Sequence, residues 1–120
     1  MDDLADVIAA QPRLAVVATP PDTHRPVAER LLAAGIAVLC EKPLASSIED
    51  VQALADAADR GTTPLAMATK FRFARGVAAA RSAIEAGRLG AIREVEVVFK
   101  AAVDMRGRWN SDRAVAGGGW

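Results

Sequence analysis

The feature that most constrains the fold is a rhythm of three short apolar runs, "LAVVA" (Leu14 to Ala18), "IAVLC" (Ile36 to Cys40) and "LAMAT" (Leu65 to Thr69), separated by single stretches of helical periodicity. Short runs without polar alternation read as strands buried on both faces. Between the first two, "TPPDTHRPVAERLLAAG" sets Val27, Leu31 and Leu32 on one helical face, offers Asp22 or Thr23 as the N-cap and stops at Gly35. Between the second and third, "ASSIEDVQALADAADRG" holds Ser46/Glu49 and Ser47/Asp50 at capping-box spacing. Its predicted apolar stripe is Ile48, Val51, Leu54 and Ala58, closed by Gly61. A helix with Leu4, Val7 and Ile8 on one face precedes the first run and stops at Pro12, and "GVAAARSAIEAG" (Gly76 to Gly87) reads as a helix after the third. Strands alternating with single helices require right-handed crossovers in a parallel sheet, so the fold class is α/β.

From Ile92 the rhythm changes. "IREVEVVFK" alternates, with Val95, Val97 and Phe99 on one side and Glu94 and Glu96 on the other, as in a sheet with one wet face. A second sheet is predicted to begin there. The tail "AAVDMRGRWNSDRAVAGGGW" has three consecutive glycines and no clear period, and reads as a loop. One strand and a loop cannot cover their own apolar face, and no glycine-rich strand-to-helix turn stands near Met1. A piece cut from something larger is expected.

Composition narrows the partners. With 15 basic side chains against 15 acidic ones, nucleic acid and anionic membrane surfaces are poor candidates. The single cysteine, Cys40, excludes an internal disulfide and fits the cytoplasm. The acidic start "MDDLADVIAA" is unlike a targeting segment, no apolar stretch reaches the roughly 18 residues of a membrane span, and no metal site is expected.

In open parallel sheets, ligands bind where loops leave the carboxyl ends of the strands. Three loops do so here: "TPPDTH" after the first strand, "EKPLASS" after the second and "KFRF" after the third. The consecutive prolines Pro20 and Pro21 hold the first loop extended, either as a stiff entry to the helix or as a wall of the crevice. His24 in the first turn of that helix reads as a hydrogen-bonding residue rather than a general base. Glu41 and Lys42 stand at the apex of the second strand, and Pro43 confines the backbone of Lys42. They are either solvated charges at a strand end or a lysine aimed at a substrate oxygen, able to donate a hydrogen bond and exchange a proton.

With the three loops in order, the chain resembles the Gfo/Idh/MocA family of nicotinamide-dependent oxidoreductases. The resemblance rests on "VVATPPDTH", "AERLLAAGIAVLCEKPLA", "FRF" with "GRLGAIREV", and "RWNSD" with "AGGGW". It implies the C-terminal half of a doubly wound Rossmann sheet over residues 1–70, with the first βαβ unit missing. Residues 71–120 would start an α/β substrate domain with a mainly antiparallel sheet. It further implies NAD or NADP as cofactor, a sugar, polyol or related secondary alcohol or carbonyl as substrate, and a parent that is a homo-oligomer. Thr19, Pro20, Pro21 and His24 would line the nicotinamide side of the dinucleotide and Glu41 its ribose. Lys42 would face both cofactor and substrate as the catalytic lysine. Lys70 stands where many members have Asn, and Trp109 and Asn110 stand where some have Trp-Arg; all three are expected near the cofactor. Arg72 would hold backbone or substrate oxygens, or a structural ion pair. The glycine fingerprint and a downstream histidine for proton transfer are not in these residues, so the 120 residues by themselves are expected to bind dinucleotide poorly and to turn over nothing measurable. Two other readings are a non-catalytic, dinucleotide-sensing regulator of the same fold and an inactive fragment. Retention of Lys42 between Glu41 and Pro43 favours the enzyme.

Overall fold

The computed structural model describes residues 3–98, 100, 104, 106–108 and 111–117. They divide into two compact units, one made by the described residues of Met1–Ala68 and Met105–Trp120, the other by Thr69–Asp104.

In the first unit, α1 (Leu4–Ala9) leads to β1 (Leu14–Val17), a 3-10 turn (Pro21–Thr23), α2 (His24–Ala33), β2 (Ala37–Cys40), α3 (Ile48–Arg60) and β3 (Leu65–Met67). The strands form one parallel sheet in the order β1-β2-β3, with Val17 opposite Cys40 and Cys40 opposite Met67. The predicted strands are each present and slightly shorter, because the ladder ends where the chain turns into its loops.

Both crossovers run in the same direction along the sheet, so right-handedness places α2 and α3 on the same face. That face carries Val17, Val38 and Cys40, packed with Ala28, Leu31, Leu32, Ile36 and Leu54 into one buried cluster. Leu4, Val7 and Ile8 of α1 pack against it as well. Each fully buried aliphatic side chain, such as Leu31, Ile36 or Leu54, contributes roughly 1.5–3 kcal/mol. The opposite face differs from the expectation of strands buried on both sides. Leu14 and Val16 are 54% and 63% exposed, since neither crossover returns across them.

Helix ends follow local chemistry only in part. Ser47 caps α3 by accepting from the Asp50 amide, as its spacing predicts. Thr23 stands at the N-cap of α2 but does not cap it. Its Oγ1 lies 2.7 Å from both the Pro20 carbonyl oxygen and Thr19 Oγ1, so the hydroxyl is spent on the preceding loop. In α3 the buried position is Leu54, while Ile48, in the first turn, stays 84% exposed.

The second unit holds a 3-10 turn (Lys70–Phe73) and α4 (Arg75–Glu85), which has no buried residue. The alternation from Ile92 to Val98 does not become a strand: among the described residues no segment pairs with it, and Val95 and Val97 are exposed. Phe99 lies outside the described residues. A ladder needs a neighbour, and alternation alone does not supply one. The tail, read as a loop, instead contains a short helix, α5 (Arg113–Ala116), capped by Asp112 and belonging to the first unit.

Candidate active site

A parallel sheet sends all its strands out at one edge, and the loops after β1 and β2 leave it side by side. The ladder runs one step beyond the strands: the Glu41 amide donates to the Val17 carbonyl at 2.8 Å and the Ala68 amide to the Cys40 carbonyl at 2.7 Å. Glu41 and Lys42 therefore begin at a fixed height on the sheet edge. After β1, Pro20 is extended and Pro21 is buried at the start of the 3-10 turn, which leaves Thr19 exposed at the rim.

His24 lies beneath this rim, 1% exposed. Its Nε2 is 2.7 Å from the Thr19 carbonyl oxygen and its Nδ1 3.0 Å from the Pro43 carbonyl oxygen, so one ring spans both loops. Glu41 turns back on its own loop, its Oε2 accepting from the Lys42 amide at 3.1 Å. The Lys42–Pro43 peptide is cis. The Lys42 side chain is exposed and has no ion-pair partner among the described residues.

Cys40 directly precedes these charges but is not available for chemistry. It is fully buried, its Sγ is 4.0 Å from the Leu44 carbonyl oxygen, and burial, followed by the charge of Glu41, pushes its thiol up to about 11. Behind the Lys42 loop, α5 packs against the 3-10 turn at Pro21, and Gly117 passes close to Ser46. The sequence reading missed this return of the tail, because a helix of four residues has no period to detect. The triple glycine was the available signal: a backbone that must approach another backbone closely has no room for a β-carbon.

The structure thus brings together Thr19, Pro20, Glu41 and Lys42 at one edge, with Pro21 and His24 buried below. Lys70 and Arg72 belong to the second unit, where the Lys70 ammonium sits 5.2 Å from the centroid of the Phe71 ring. Trp109 and Asn110 lie outside the described residues. Among the described residues no group of three or more His, Cys, Asp or Glu side chains could hold a metal ion, and no helix is long and apolar enough to cross a membrane.

An exposed ammonium and an exposed hydroxyl over a stiffened wall fit the polar nicotinamide end of a dinucleotide. The glycine-rich turn that cradles a diphosphate is not among these residues.

Residues 1–69 match the family described as "Oxidoreductase family, NAD-binding Rossmann fold". The chain is 31% identical over 104 residues to D-apiose dehydrogenase of Paraburkholderia graminis, covering 87% of this chain and 28% of that protein. It is 35% identical over 85 residues to inositol 2-dehydrogenase of Rhizobium meliloti, covering 71% and 26%. A levoglucosan dehydrogenase in complex with NADH and levoglucosan superposes with a TM-score of 0.70 at 32% identity, covering 75% of this chain and 25% of that one. The chain spans about a quarter of the length of these relatives.

Proposed function

The chain belongs to the Gfo/Idh/MocA oxidoreductase family, and from that membership we propose that it carries the nicotinamide-facing wall of an enzyme that moves hydride between NAD or NADP and a CH–OH group of a sugar or polyol. The observation that supports this reading is the Lys42 ammonium, exposed on a loop whose backbone is held at the carboxyl edge of β2. In the same reading residues 1–70 are part of the dinucleotide domain and residues 71–120 open the substrate domain, whose antiparallel sheet and subunit pairing follow from the resemblance.

When bound, the nicotinamide supplies the hydride acceptor or donor. This chain's residues supply part of what the protein adds. Thr19 and Glu41 hold the ring and its ribose at the edge, and the prolines keep that wall from yielding. Lys42 holds the reacting oxygen of the substrate, takes its proton as the alcohol is oxidised, and returns one in the reverse direction. By the resemblance alone, Lys70, Trp109 and Asn110 are assigned to the cofactor and Arg72 to the substrate.

A hybrid enzyme tests this directly, with these 120 residues in place of the matching segment of the Rhizobium meliloti inositol 2-dehydrogenase. Dinucleotide binding checks that the hybrid is folded. Formation of reduced cofactor with a sugar or polyol supports the assignment, and a hybrid that binds dinucleotide yet oxidises none of a polyol and sugar panel contradicts it.

A further inference from the structure

His24 is the single histidine of the chain, and the proposed chemistry, on which this inference rests, gives it no proton to move. The resemblance sets it against the cofactor, but its surroundings leave no edge for that. The ring is 1% exposed, and each of its nitrogens faces a backbone carbonyl oxygen, Thr19 at 2.7 Å and Pro43 at 3.0 Å. Carbonyl oxygens only accept, so each contact is a hydrogen bond where that nitrogen carries a proton. One tautomer bonds Thr19, the other Pro43, and both bonds at once need both nitrogens protonated.

The two carbonyls belong to different loops, and the second follows Lys42 by one residue. On the other side of Lys42, the Glu41 amide is tied to the Val17 carbonyl at 2.8 Å, and the Lys42 amide itself donates to the Glu41 carboxylate at 3.1 Å. The backbone from Glu41 to Pro43 is therefore fixed from the strand on one side and from the histidine on the other.

We propose that His24 is a positioning residue for Lys42, a buried planar spacer that sets the separation between the Thr19 loop and the Lys42 loop. A residue that merely fills the core would be replaceable by any ring of similar volume. A spacer acting through hydrogen bonds is not.

The test uses the full chain in solution, with ring nitrogens and backbone carbonyls isotopically labelled. Because there is one histidine, the imidazole NMR spectrum has one source. The expected result is a ring N–H protected from solvent exchange and coupled through its hydrogen bond to the Thr19 or Pro43 carbonyl carbon. A ring proton that exchanges freely, with no such coupling, overturns the proposal without any variant being made. His24→Phe keeps the volume and removes the donors; it should leave the amide shifts of α3 in place while the amides of Thr19, Glu41, Lys42 and Leu44 exchange about tenfold faster. His24→Gln, which keeps a donor, should restore part of that protection. If Phe protects the loops as well as His does, or if only one loop responds, the spacer role is wrong. No turnover is read, so this outcome stands apart from that of the hybrid assay.

Discussion

A methyl group placed on the α-carbon of Gly117 would lie 2.5 Å from the carbonyl oxygen of Ser46, and 2.8 Å from its α-carbon. Gly117 also ends α5 with φ of +79°, a conformation that side chains other than glycine's rarely adopt. Both neighbours are backbone, so nothing flexible can yield. Gly117→Ala should therefore lower stability by roughly 1–3 kcal/mol, the combined cost of a strained residue and a displaced loop. A denaturant melt reads this, and an unchanged midpoint would mean that the tail does not lie against the Lys42 loop.

Cys40 gives a second expectation. Its thiol is buried and held at about 11, so the reactive thiolate is nearly absent at neutral pH. A disulfide reagent should label the unfolded chain at once and the native chain only as fast as it opens. Rapid stoichiometric labelling of native protein would contradict the packing of β2 against α2 and α3.

The Arg25–Asp50 pair joins α2 to α3 at 2.7 Å, with Arg25 also 3.0 Å from Glu29. The hydrogen bond from Arg25, then that with Ser47, holds the Asp50 carboxyl below the ordinary carboxylate range, while Arg25 is raised further and stays charged. The pair's contribution is then fully present above about pH 4, the unfolded carboxylate value, and is lost as pH falls through the lower folded value. Asp50→Asn should destabilise the chain at neutral pH, and the gap between wild type and variant should close in acid. Melts at several pH values check the sign; a gap that widens in acid refutes it.

Much of this was legible in the sequence. The three apolar runs became β1, β2 and β3, although one face of β1 stayed exposed, and Ser47 capped α3 where its spacing said it would. What failed depended on partners distant in sequence. Thr23 gave its hydroxyl to the loop before it rather than to α2, and Ile48 stayed 84% exposed. The alternating stretch from Ile92 met no described strand to pair with. At the site, the order of Thr19, Glu41 and Lys42 along one edge could be read from topology alone. The histidine that spans their loops could not, since no local pattern states which carbonyl a ring will reach.

The 120 residues contain no glycine-rich strand-to-helix turn, so their affinity for NADH or NADPH should be weak. Titration of either into the isolated chain should show no saturation in the micromolar range. Micromolar binding would mean that a diphosphate site exists in residues not assigned to one.

The most direct measurement of the central claim is Lys42→Ala in the hybrid enzyme, with turnover and dinucleotide affinity determined on the same preparation. If Lys42 holds the reacting oxygen and moves its proton, turnover falls about a hundredfold or more while dinucleotide affinity stays within a few fold. Turnover that survives the substitution, or an equal loss of turnover and dinucleotide affinity, would contradict the role assigned to that ammonium.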